Sequence, residues 1–216
     1  MKLVLFDCDG TLVDSAHVIH TCMCAAFDKH NFKPPTPEGT KSIIGLSLHE
    51  AMLHLLPVSS YDDLDQMVQD YKDSFFEIRQ RENLLEPLYD GVEDLLKTLH
   101  ARDDLILGVV TGKSRRGLKA ILDGYGFAEY FYVLRTADDC PSKPHPAMVL
   151  ECCDVAGIEP SDTFVIGDAT FDIDMATNAG ATSIGVNWGY SSVEALVECG
   201  ANHIVKKPSE IIDIIG

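Results

Sequence analysis

Positive charge is scarce in this 216-residue chain: 17 Lys and Arg face 34 Asp and Glu, a formal net charge of −17. So acidic a protein repels polyanions at long range, which excludes nucleic acid and anionic lipid as bulk partners. A small anionic substrate is not excluded, because a metal ion can oppose the global field locally. Long apolar runs are missing too. No stretch approaches the ~20 residues of a membrane span, and Met1-Lys2-Leu3-Val4-Leu5-Phe6 meets Asp7 too early for a signal peptide, so a cytoplasmic protein is expected. None of the seven cysteines has a paired CxxC spacing. Cys22-Met23-Cys24 and the adjacent Cys152-Cys153 suit neither zinc nor a local disulfide, and buried free thiols are expected. Internal repeats and low-complexity tracts are absent as well. With 46% hydrophobic and 24% charged residues the composition excludes disorder or a fibre.

What is present is an alternation. Apolar, β-branched runs of strand length recur at Leu3–Phe6, Leu105–Val110, Thr163–Ile166 and Thr182–Val186, with shorter ones at Tyr130–Leu134 and His203–Val205. They are apolar at consecutive positions, as strands buried on both faces are. Between them Val92, Leu95, Leu96 and Leu99 keep one helical face, and Leu118, Ile121 and Leu122 keep another. Pro146 marks a helix start, Gly157 and Gly180 mark helix ends, and Ser191 with Glu194 reads as a capping box. Such alternation predicts a parallel sheet covered on both sides.

The interval 14–88 breaks the rhythm. Val18, Ile19, Cys22, Met23, Ala26 and Phe27 suit one helix, and Leu64, Met67, Val68, Tyr71, Phe75 and Ile78 another, with Pro34-Pro35-Thr36-Pro37 as a loop between. A helical insert between the first strand and the rest of the sheet is expected.

In open parallel sheets ligands bind beyond the carboxyl ends of the strands. The polar residues fall there. Asp7, Cys8, Asp9, Gly10 and Thr11 follow the first strand, Thr111, Gly112 and Lys113 the second, and Gly167 and Asp168 the strand at 163–166. Asp7 and Asp9 are two apart, so on a continuing strand their side chains leave on the same side. Clustered carboxylates repel and raise each other's pKa unless a cation joins them. Asp168 and Asp172 add oxygen donors, and an all-oxygen set suits Mg²⁺ rather than zinc. Lys143 offers a fixed positive charge.

In these residues the chain resembles the haloacid dehalogenase-like hydrolase superfamily, in its phosphoglycolate phosphatase-like branch with a helical cap. The motifs are Asp7-Cys8-Asp9-Gly10-Thr11-Leu12-Val13-Asp14-Ser15, then Thr111-Gly112-Lys113, Lys143-Pro144, and Gly167-Asp168-Ala169-Thr170-Phe171-Asp172. The resemblance implies an α/β fold, a Rossmann-like parallel sheet core (1–13 and 89–216) with an inserted α-helical cap domain (14–88). It also implies a Mg²⁺-dependent phosphatase acting on a small phosphorylated metabolite, as a monomer or homodimer. Asp7 would attack phosphorus and carry an aspartyl phosphate, and Asp9 would serve as general acid and then base. Mg²⁺ would be held by Asp7, the Asp9 carbonyl and Asp168, with Asp172 in support. Thr111, Gly112 and Lys143 would bind the phosphoryl group.

Asp9 argues against the dehalogenase and phosphonate-hydrolysing branches, where other residues replace the second acid. Gly112 departs from the Thr-Asn-Lys common in phosphoglycolate phosphatase-like members. The segment Ile44-Gly45-Leu46-Ser47-Leu48-His49-Glu50 resembles the cap loop that faces the core. Lys41, His49, Arg79 and Arg81 are the cap's available cationic or polar groups, each read first as solvated surface. Arg115 and Arg116 reach either a substrate or solvent, and Trp188 and Tyr190 read as packing residues. Three rival readings stay open: a β-phosphoglucomutase-like isomerase, a phospho-accepting signalling module, and a catalytically silent binding protein.

Overall fold

Six strands form one sheet: Lys2–Phe6 (β1), Leu105–Val110 (β2), Val133–Arg135 (β3), Thr163–Gly167 (β4), Thr182–Val186 (β5) and His203–Val205 (β6). Their order is β3-β2-β1-β4-β5-β6 and every pair is parallel. The computed structural model that shows this describes residues 1–57, 60–82 and 85–216, and the side chains at 81 and 82 lie outside the description. In this order the chain departs from β1 in both directions, which creates a crevice at the carboxyl end between β1 and β4.

The two-residue period of β1 divides the core. Val4 and Phe6 pack with Val92, Leu95, Leu96 and Leu99 of α5 (Val92–His100), with Leu118, Ile121 and Leu122 of α6 (Arg115–Tyr125), and with α10 (Ser209–Ile215). Leu3 and Leu5 pack the other way, with Met148, Val149, Cys152 and Cys153 of α7 (Ala147–Ala156) and Met175 and Ala176 of α8 (Thr170–Ala179). Each Val, Leu, Ile, Phe or Met among them contributes about 1.5–3 kcal/mol of transfer free energy. All seven cysteines are free, five of them buried, as expected. No helix among the described residues is long and apolar enough to cross a membrane.

Three local expectations are corrected. The run Tyr130–Leu134 is not one strand: Ala128–Tyr130 form a 3₁₀ turn and pairing begins only at Val133. Tyr130 stacks on His100 with ring centroids 4.2 Å apart, so this segment packs against α5 instead of extending the ladder. The cap of α9 (Val193–Glu198) is Ser192 rather than Ser191, its Oγ accepting the Ala195 N–H at 3.1 Å. Pro37 is the first residue of α2 (Pro37–Lys41), where a missing N–H costs nothing, and the Thr36 hydroxyl accepts the Gly39 N–H.

Between β1 and α5 lie α1 (Ala16–Lys29), α2, α3 (Leu48–Leu55) and α4 (Leu64–Glu82). They build their own apolar cluster from Ile19, Met23, Phe27, Met52, Met67 and Val68. The two chain crossings into this helical layer are pinned together. Val13 bridges Leu88, the Asp14 N–H donates to the Pro87 carbonyl, and the Tyr89 N–H to the Leu12 carbonyl. This paired crossing lies beside the boundaries expected at 14 and 88.

Inside the layer, buried Asp70 ties α4 to α1 by accepting from Lys29 (2.7 Å), His30 (2.9 Å) and Gln66 (3.0 Å). The Lys29 hydrogen bond, offset in part by burial and joined by those of His30 and Gln66, holds its pKa at about 2, below the ordinary 3.8. A depressed carboxylate stabilises the fold above its unfolded pKa and loses that contribution as pH falls toward 2. Asp70→Asn is expected to cost about 1–3 kcal/mol at neutral pH. Denaturant unfolding of both proteins should show the gap closing between pH 4 and 2.

Candidate active site

Backbone pairing sets the site. The Asp7 N–H continues the ladder to the Ile166 carbonyl (2.8 Å), and the Thr111 N–H does the same to the Arg135 carbonyl (3.0 Å). The ends of β1, β2 and β4 thereby lie side by side, and Asp7, Thr111 and Asp168 are all buried. The carboxylates of Asp7, Asp168 and Asp172 offer oxygens within 4.8 Å of one another. This approach requires Gly10, which has φ of +89° and where a Cβ would lie 2.3 Å from Asp168 Oδ2.

The remaining contacts separate these acids. Asp168 accepts from the Thr11 hydroxyl (3.1 Å) and the Tyr190 N–H (2.8 Å). Asp172 accepts from Lys143 Nζ (2.6 Å) and the Ala169 N–H (3.1 Å). Asp7 has Lys143 Nζ 2.8 Å from Oδ1, off the hydrogen-bonding direction. Both its buried oxygens lack a hydrogen bond from any described group. Lys143 is itself fully buried; burial opposes its charge, but Asp172 and Asp7 outweigh that and raise its pKa. One ammonium among three carboxylates leaves two negative charges uncompensated. Burial, followed by Asp172 and Asp9, pushes Asp7 up to about 7 despite Lys143. Burial, then Asp172 and Asp7, raises Asp168 as well. A buried, oxygen-only, under-compensated cluster with two orphaned oxygens fits a hard divalent cation such as Mg²⁺.

Asp9 lines the same cavity as Asp7. Its carboxylate does not join the cluster: Oδ1 accepts from Lys113 Nζ (2.6 Å) and the Ser15 hydroxyl (2.6 Å). Strand β1 ends at Phe6, and the chain turns immediately after Asp9, where Cys8 O takes the N–H groups of Thr11, Leu12 and Val13. Of the four acids named from sequence, the structure gathers the side chains of three. Lys113 also approaches Glu86 (3.6 Å), and Arg79 Nη2 meets both Glu86 oxygens at 2.6 and 2.7 Å. Arg79 is thus no solvated surface group, and Glu86, 1% exposed, belongs to the site although sequence reading passed it over. Its one signal is an acid set among Leu84, Leu85, Pro87 and Leu88. Burial opposes the charge of Lys113, but Asp9 leads the groups that raise its pKa.

The expected cap loop meets the core. A Cβ on Gly112 would fall 2.4 Å from the Leu46 carbonyl oxygen and 2.5 Å from that of Gly45. The Ser47 N–H donates to Ser142 Oγ (2.8 Å), one residue before Lys143. The absence of a side chain after Thr111 is therefore filled by the helical layer's own backbone. Gly112→Ala must push that loop away; kcat/KM is expected to fall about 10–100-fold while Tm changes little, read by parallel kinetics and calorimetry.

The other candidates are now placed. Lys41 is exposed, His49 pairs with Asp65, and Arg115 pairs with Asp139. Arg116 lies over the Phe76 ring, and the Arg81 side chain is outside the described residues. Trp188 and Tyr190 do pack, and they also hold the site. Trp188 Nε1 donates to the Thr11 carbonyl, and the Tyr190 hydroxyl accepts the Ser15 and Ala16 N–H groups at the start of α1.

Fold and site together define a doubly wound α/β enzyme with buried carboxylates at its switch point. The chain belongs to the haloacid dehalogenase-like hydrolases, whose family model matches residues 4–186. It is 31% identical to a phosphoglycolate phosphatase of Chromobacterium violaceum, across 100% of this chain and 96% of that protein. Identity is 32% to an N-acetylmuramic acid 6-phosphate phosphatase of Pseudomonas aeruginosa, across 100% and 95%. A solved structure from Clostridium acetobutylicum, described as a predicted phosphatase, matches with TM-score 0.87 at 28% identity, covering 99% of this chain and 97% of that one.

Proposed function

We propose that the protein is a Mg²⁺-dependent phosphomonoester hydrolase of the cytoplasm, acting on a small phosphorylated metabolite through an aspartyl phosphate on Asp7. The observation that carries this is the Asp7 carboxylate, which takes no hydrogen bond from any described group and is fixed beside Asp168, Asp172 and Lys143. A nucleophile must keep its attacking lone pairs free, and Asp7 is the site acid whose oxygens receive no hydrogen bond.

Asp7, Asp168 and the Asp9 carbonyl would hold Mg²⁺, with Asp172 close by. When bound, the ion supplies charge neutralisation for the carboxylates and the transferring phosphoryl group. Lys143, locked by Asp172, adds a second positive charge against the phosphoryl oxygens. Thr111 and the backbone at Gly112 contribute hydrogen-bonding groups at the end of β2. Asp9 protonates the leaving alcohol and then takes the proton of the attacking water, with Ser15 and Lys113 fixing its carboxylate. The helices of 14–88 act as a cap that excludes water, their loop at 45–47 seated on Gly112 and Ser142. No nucleic-acid or membrane partner is part of this reading, and the assembly is a monomer or homodimer.

The test is phosphate release across a panel of phosphorylated metabolites in Mg²⁺ buffer. Release from at least one is expected. Interconversion of sugar phosphates without release would favour the isomerase reading, and stable phosphorylation without turnover the signalling one.

A further inference from the structure

Between the helical layer and the sheet lies a cavity of about 640 Å³ that opens from Asp7 and Asp9 outward. That volume is in the range that holds a drug-sized ligand and far exceeds what a two-carbon acid fills. Its walls beyond the acids are largely apolar and aromatic, including Ile43, Ile44, Tyr71, Phe75 and Phe76. Into this wall the chain sets cations. Lys72 and Arg116, both exposed, stand at the cavity's mouth without a carboxylate partner among the described residues, Arg116 lying 4.1 Å over the Phe76 ring. Arg79 spends Nη2 on Glu86, yet its buried Nε has no acceptor. The rim acids Asp73 and Asp138 accept from Gln69 Nε2 and the Arg115 N–H, neutral donors that leave their charges in place, and neither forms an ion pair with Lys72 or Arg116 among the described residues.

In a chain where acids outnumber bases two to one, two cations left unpaired at one cavity mouth, beside a buried Arg79 Nε–H that lacks an acceptor, point to an anion supplied from outside. We infer that the substrate is a phosphomonoester whose leaving group has a ring-sized body with an apolar face and carries a second anionic group. The phosphoryl end sits at Asp7, the apolar face lies against Phe75 and Phe76, and the distal anion meets Lys72, Arg116 and the Arg79 Nε–H. This rests on the phosphatase reading and adds a leaving-group class to it.

The test uses the Mg²⁺-loaded full chain and three alkyl phosphates. (4-Carboxycyclohexyl)methyl phosphate and its carboxamide share ring and leaving-group acidity and differ by one charge. Phosphoglycolate has the charge without the ring. The carboxylate is expected to exceed the carboxamide in kcat/KM by about tenfold or more, chiefly through KM, and to exceed phosphoglycolate. In the Lys72→Gln/Arg116→Gln double variant the carboxylate-to-carboxamide ratio is expected to fall toward one, whereas a merely damaged fold lowers both rates together and keeps the ratio. A ratio near one in the native enzyme, its survival in the double variant, or a preference for phosphoglycolate would overturn the inference while leaving the phosphatase reading intact. Absence of phosphate release from every phosphomonoester tried would overturn both.

Discussion

Asp7→Asn is expected to lower kcat by about 10⁴-fold or more while making the metal-free protein more stable. The two effects share one cause. Asp7 is 1% exposed, its oxygens take no hydrogen bond, and burial with the acids around it raises its pKa to about 7. Among the described residues only Lys143 stabilises that charge, and Asp172 already holds it. A neutral amide of the same shape removes the nucleophile and relieves the repulsion. The sign with pH follows. A carboxylate whose folded pKa is raised costs nothing below its unfolded value near 3.8 and destabilises increasingly as pH rises toward 7. Metal-free native protein should therefore lose stability between about pH 4 and 7, and the variant should lose less. Above pH 7 the variant's Tm should be higher, by roughly 2–4 °C for each kcal/mol relieved. A variant less stable than the native chain at pH 8 would show that the Asp7 charge is compensated within the protein itself.

Chelation is expected to have the other large effect, on binding as well as on turnover. Three carboxylates with only Lys143 to balance them disfavour a dianionic phosphate at the phosphoryl site, and the chain's net charge of −17 adds to that repulsion. With EDTA present, phosphate release should fall to background, and inorganic phosphate should bind too weakly to detect by calorimetry. Returning Mg²⁺ to about a hundred times its Kd should restore both and stabilise the fold by about 2.7 kcal/mol, or roughly 5–10 °C in Tm. Unchanged phosphate affinity without metal would mean that Lys143 and the backbone amides suffice.

The sheet and the acidic motif were legible because each is local. Continuous apolar runs such as Leu3–Phe6 announce strands buried on both faces, and a polar turn after each run marks its carboxyl end. Asp7, Asp168 and Asp172 follow from that logic, since parallel strands in this order leave their polar ends nowhere else to go. What stayed hidden depends on contacts between distant segments. Arg79 sits on a polar helix face that reads as solvated, and only the placement of Glu86 beneath it shows otherwise. Lys113 stands in a motif of the sequence, but its pairing with Asp9, more than a hundred positions earlier, shows only in the fold. Gly112 reads as a missing side chain, and its meaning lies in the Gly45 and Leu46 carbonyls, 66 or more positions earlier in the chain. The sheet's pattern is written in neighbouring residues; the fit between helical layer and sheet is not.

The most direct measurement is peptide mass spectrometry on enzyme acid-quenched during turnover of a phosphomonoester it hydrolyses, with Mg²⁺ present. A phosphoryl group on the peptide containing Asp7, placed on Asp7 by fragmentation and absent from Asp7→Asn, is the predicted result. Turnover with no phosphorylated Asp7, or with the phosphoryl group on another residue, would contradict the account.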